Sequence, residues 1–312
     1  MDGNPAALGR AIPAGAVGPG TQPTESDGAQ LDYLALPGAM STYRQPRLAE
    51  PEDVAGCAAG LAALASLHAL LAGYRVGAVG QVMDLALLPA ADRLLVTDSL
   101  GEGEVSILCS VADGTAAPDG IATVREAEAQ ETRLAGVWRV RSNPDGTGGW
   151  RRDVLEVADV PGFVRAHAFS AAVTALALPE QLPDGVMNAP GVLAELAEQV
   201  AARQDGADAP ALPHVVNLTL LPQTEADLAW LGARLGRGPV SVLSRGYGNC
   251  RVTATALAGV WWVQYFNADD KLILNTLEVT DVPAAVLAAQ EDIDDSAVRL
   301  GEILCALTGA DA

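Results

Sequence analysis

Three stretches of this sequence occur twice, in the same order, and any fold must accommodate that repetition. LGEGEVSIL at 100–108 returns as LGRGPVSVL at 235–243, AGVWRV at 135–140 as AGVWWV at 258–263, and LEVADVP at 155–161 as LEVTDVP at 277–283. The second and third blocks keep nearly the same offset, and the first departs from it by about a dozen residues, which one loop can absorb. The pattern is that of a duplicated domain rather than a solenoid of short units.

The stretches between the blocks read alike in both halves. A helix over 54–73 carries the stripe Cys57, Leu61, Leu64, His68, Leu71, and its counterpart near 192–203 places Leu193, Leu196 and Val200 on one face. Short strands at 82–88 and 215–221 stop at Pro89 and Pro222. Helices rich in leucine follow, with Asp92 and Asp227 at matching positions. Four strands come next in each half, near 104–110, 121–132, 136–142 and 151–158, and near 239–245, 250–257, 259–266 and 271–279. Pro161 and Pro283 are each placed to open a further helix. The expected fold is α+β: two tandem copies of an α-β-α-β-β-β-β-α domain with mainly antiparallel sheets, related by a pseudo-twofold axis. The Pro- and Gly-bearing linker ALPEQLPDGVMN at 177–188 sets a boundary near residue 184, giving repeat domains at 51–180 and 186–312. Residues 1–50, rich in Gly and Pro, read as an extended, partly disordered N-terminal arm.

Charge narrows the partners. The formal net charge is −20, and Lys271 is the single lysine among 19 basic residues. Phosphate backbones and anionic membranes are repelled by such a chain, so no nucleic acid is expected, whereas basic partners are attracted. The uncharged run 54–73 is long enough to span a bilayer, but its bulk lies on one side, which suits a helix buried in a globular domain and no membrane insertion. The start, MDGNP, lacks a basic leader and an apolar core, so a cytoplasmic protein with reduced thiols is expected.

Chemistry finds few candidates. Cys57, Cys109, Cys250 and Cys305 are scattered, and the imidazoles are His68, His167 and His214, so no metal, cofactor or catalytic set is expected. Cys57 and His68 on one helix stand roughly 16 Å apart, too far to share a ligand. Cys250 lies beside Arg251, which could lower a thiol pKa, yet Gly246 and Gly248 explain the same stretch as a hairpin turn. Comparing copies is more informative. Trp138 and Val140 match Trp261 and Val263, a shared core face, while Arg139 and Arg141 on the other face match Trp262 and Gln264, with Phe266 beyond. Aromatics thus replace charge in the second copy, to fill a contact between domains or to form a surface for another protein. The candidate partner-binding residues are Gly246, Tyr247, Gly248, Asn249, Cys250, Arg251, Trp262 and Phe266.

The chain resembles the hydrogenase expression/formation proteins of the HupH, HyaF and HoxQ type. The resemblance rests on GPGTQP at 18–23, LGEGEVS at 100–106, GVWRVR at 136–141, DGVMN at 184–188, VNLTLLP at 216–222 and GYG at 246–248. It implies a non-enzymatic, chaperone-type accessory factor in bacterial maturation of membrane-bound uptake [NiFe] hydrogenase. The implied partners are the iron-sulfur small-subunit precursor, with its twin-arginine leader, and other maturation accessory proteins. A thiol-dependent enzyme or redox or metal carrier using Cys250 is the competing expectation.

Overall fold

The repeated LG·G blocks sit where each half turns from helix into sheet, and their glycines are needed there. Gly101 and Gly236 end their helices at φ 61° and 60°, a backbone region that side chains disfavour. A methyl group on Gly103 or Gly238 would collide with the carbonyl of Thr132 or Thr255.

The computed structural model describes residues 54, 56–117, 120–177, 179–204, 212–245 and 249–309. The expected N-terminal arm lies outside them, as do Gly246, Tyr247 and Gly248. Helix α1 (Ala58–Gly73) leads to strand β1 (Gln81–Asp84) and helix α2 (Ala90–Leu100). Strands β2 (Val105–Ala117), β3 (Gly120–Glu131), β4 (Val137–Pro144) and β5 (Trp150–Val157) follow, then helix α3 (Gly162–His167). The second half runs α4 (Ala189–Gln204), β6 (His214–Asn217), α5 (Glu225–Leu235), β7 (Val240–Ser244), β8 (Asn249–Ala254), β9 (Val260–Phe266), β10 (Leu272–Val279) and α6 (Gln290–Thr308). Pro161 does open a helix, but Pro283 opens only a 3-10 turn over Ala284–Val286. The Ala288 amide donates to the Asp159 carbonyl at 2.9 Å, drawing the chain across to the first half before α6 begins.

All ten strands form one antiparallel sheet in the order β1-β5-β4-β3-β2-β7-β8-β9-β10-β6. Read inward from its two ends, the sheet places strands of equal rank in each half at equal positions, Trp138 on β4 and Trp261 on β9 among them. The central pair joins Val105 to Ser244, Ile107 to Val242 and Cys109 to Val240, a register symmetric about Ile107 and Val242, which the repeat also equates.

One core spans both halves beneath this pair, built from Ile107, Trp138 and Val140 with Val242, Trp261 and Val263. Each half sends its last segment to the other. Phe169 meets the Trp261 ring edge-on at 5.2 Å, and Val173 forms a parallel bridge with Leu257. In return, Ile293, Ala297 and Leu300 of α6 pack with Leu64, Leu67 and Leu71 of α1. The buried stripe of α1 is thus centred on Leu64, Leu67 and Leu71, while His68 lies half-buried against Gly301 of α6.

The paired aspartates cap the first helix of their own halves. Asp92 accepts from the Gly60 amide at 2.6 Å. Asp227 is wholly buried and takes the Met187, Asn188 and Ala189 amides on one oxygen and the Thr224 amide on the other, at 2.8–3.0 Å. Burial pushes its carboxyl up, but these four donors outweigh that and hold it at about 2.

Candidate functional site

Strands β8 and β9 carry the surface expected from the sequence, and the structure rearranges its roles. Trp262 is 2% exposed and donates its indole N–H to Asn275 Oδ1 at 2.5 Å. Its cross-strand neighbours are Thr253 and Leu277. The expected exposed anchor at Trp262 is therefore corrected, because residues 260–264 of β9 are buried on both faces. Trp261, on the same strand, meets the other half through Phe169. Phe266 is half-buried under the Arg251 guanidinium, 4.3 Å from the ring centre, a cation–π pair within one sheet. Asn249 donates to Asp270 at 2.8 Å and tethers the adjoining β9–β10 turn.

Cys250 faces the shared core and is 9% exposed. Burial pushes its thiol up to about 11; a hydrogen bond with Tyr265 opposes this, and Glu278 adds to it. A thiol so placed is almost wholly protonated at neutral pH and a poor nucleophile. Among the described residues no group of three or more His, Cys, Asp or Glu side chains could hold a metal ion, and no helix is long and apolar enough to cross a membrane.

A second region lies beside the central strand pair. A cavity of about 440 Å³ opens where β2 begins, β3 ends and β7 ends, lined by Glu102, Glu104, Glu131, Arg133, Ala135 and Ser244 among others. Three glutamates and one arginine are among its lining residues. Burial pushes Glu131 up to about 7, with Glu104 and then Asp292 adding to the effect. The second half has Arg237, Pro239 and Ala254 at the sequence positions that match Glu102, Glu104 and Glu131. That contrast is visible in the sequence as a difference between the matched stretches of the two halves.

The family model described as "HupH hydrogenase expression protein, C-terminal conserved region" matches this chain twice, at residues 57–182 and 186–307. The chain belongs to the HupH hydrogenase expression protein family. Among its relatives, the hydrogenase expression/formation protein HupQ of Azotobacter chroococcum mcd 1 is 47% identical over 290 residues, 93% of this chain and 95% of that protein. HupH of Rhodobacter capsulatus is 41% identical, covering 95% of this chain and 98% of its own length. The hydrogenase-1 operon protein HyaF of Escherichia coli K12 is 33% identical, covering 92% and 94%. A solved HupH hydrogenase expression protein from Thiobacillus denitrificans matches 38% of this chain at 32% identity with a TM-score of 0.35.

Proposed function

We propose that this HupH-family chain is a cytoplasmic accessory protein of [NiFe] hydrogenase maturation that holds the iron-sulfur small-subunit precursor before export and catalyses no reaction. The observation that carries the reading is the near full-length identity to proteins named for hydrogenase expression and formation. A net charge of −20 and an acidic cavity suit a client with a basic segment, such as a twin-arginine leader, and electrostatic attraction of this kind speeds encounter. The buried, protonated Cys250 speaks against the thiol-dependent alternative. We read 51–180 and 186–312 as two copies of one unit, duplicated in tandem about a pseudo-twofold axis at the β2–β7 pair.

Affinity-tagged full-length chain, purified from a hydrogenase-producing cell, tests the assignment. Mass spectrometry should identify the small-subunit precursor in the eluate. Recovery of the large subunit alone, or of no hydrogenase subunit, would reject it.

A further inference from the structure

Around the two matching turns the hydrogen bonds repeat one for one. In the first half the Gly103 amide donates to Glu131 at 2.7 Å, Thr132 to Val137 at 2.9 Å and Arg133 to Leu100 at 3.1 Å. In the second, Gly238 donates to Ala254 at 2.7 Å, Thr255 to Val260 at 3.0 Å and Ala256 to Leu235 at 2.8 Å. The Thr132 hydroxyl serves the Leu134 amide and carbonyl as the Thr255 hydroxyl serves those of Leu257. Arg133, Leu134 and Ala135 therefore stand where Ala256, Leu257 and Ala258 stand.

The correspondence stops at two backbone groups. In the second half the Ala256 carbonyl accepts from the Val173 amide and the Ala258 amide donates to the Val173 carbonyl, both at 2.8 Å. In the first half no described residue bonds to the Arg133 carbonyl or the Ala135 amide, and both residues line the acidic cavity. The difference arises in the crossing segments. After Pro161 the chain continues past Ala168, whose carbonyl lies beside Gly238, to the bridge at Val173. After Pro283 it winds into α6 at Gln290 and leaves along α1. The chain thus shows on one side what kind of object fits the other: a peptide segment that bridges through one residue, as Val173 does.

We infer that this cavity binds an extended segment of a partner polypeptide, which bridges to the Arg133 carbonyl and the Ala135 amide and places a basic side chain among Glu102, Glu104 and Glu131. Backbone bridging of this kind gives hold without sequence preference, and the flanking side chains supply the preference. Here they are acidic, with Asp292 adding to the field at Glu131 and Arg133 offsetting one charge. The inference deepens the proposed client-holding role and rests on it for the identity of the partner, though not for the site.

The test uses full-length protein and fluorescein-labelled decapeptides copied from residues 168–177, whose Val173 makes the bridge in the second half. One carries Ala168→Arg and Ala172→Arg, the other glutamate at both places. Anisotropy should show the arginine peptide binding at least about tenfold tighter at low salt, as several carboxylates at about 4 Å would give. The combined Glu102→Gln, Glu104→Gln and Glu131→Gln variant should lose that preference. Ala135→Pro, which removes the amide, should weaken both peptides. The triple variant leaves the backbone intact, so it decides the matter if Ala135→Pro fails to fold. Equal binding of the two peptides, no saturable binding up to about 1 mM, or an unchanged preference in the triple variant would overturn the inference. Peptide binding without precursor capture from cells would instead refute the proposed client and leave the site standing.

Discussion

Asp227 offers the sharpest test of how each half holds its first helix. The carboxyl sits at about 2 in the folded chain against an ordinary 3.8, a difference equivalent to about 2 kcal/mol of preference for the ionised form. Because the folded value is the lower one, this contribution is present above pH 4 and is lost as pH falls from about 4 towards 2. Asp227→Asn keeps an acceptor but not the charge, and should cost about 2 kcal/mol at pH 7. Asp227→Ala also strands the Met187, Asn188, Ala189 and Thr224 amides, and should cost about 4 kcal/mol. Urea unfolding followed by tryptophan fluorescence at pH 7, 4 and 2.5 measures both effects. The midpoint should drop in the order Ala, Asn, wild type, and the acid-dependent loss should be smaller by about 2 kcal/mol in the Asn variant than in the wild type. An Asn variant as stable as the wild type at pH 7, or one with an identical acid limb, would show that the amides draw no special stability from the charge.

Glu131, pushed up to about 7, reverses the sign: the folded chain keeps its proton between about 4.5 and 7 while the unfolded chain gives it up, so stability declines across that window as pH rises. Glu131→Gln should remove the decline and stabilise the protein at pH 8 by up to about 3 kcal/mol, read from unfolding midpoints at pH 5 and 8. Trp262→Ala should cost about 4 kcal/mol of stability through lost packing and a stranded Asn275, with precursor affinity of the folded protein unchanged; a stable variant with weak capture would restore Trp262 to the binding surface. A chain ending at residue 184 lacks α6 and should give no cooperative melt by circular dichroism, whereas co-expression with 186–312 should recover a folded complex.

Strand boundaries in the repeats were legible because turn residues and repeated blocks mark them, and β4, β5, β9 and β10 lie within a residue or two of expectation. The joining of the halves was not. Val240 to Leu243 is buried throughout, and a run with no polar face reads the same at a sheet's centre and inside a separate domain. Trp262 was misplaced for a related reason. Alternation assigns opposite faces but not which face meets solvent, and residues 260–264 of β9 are covered on both. In α1, alanines and glycines flatten the pattern, and the expected stripe shares Leu64 and Leu71 with the buried one but takes Leu61 and His68 where the structure buries Leu67. The acidic residues of the cavity were visible as differences between copies. Their setting depends on the path after Pro283, which winds into α6 where the first half's chain bridges at Val173, and no local pattern encodes that.

The packing of α6 on α1 also orders events during synthesis. Leu64, Leu67 and Leu71 are among the first apolar residues of the described chain to leave the ribosome, and Ile293, Ala297 and Leu300 are among the last. Until α6 has been made, α1 has no α6 to cover it, and the first half waits with part of its core wet. Such long-range closure slows folding and lengthens the exposure of sticky surface. A protein proposed here to shelter others thus passes through a nascent stage in which its own α1 needs shelter, and its yield should depend on how quickly α6 follows.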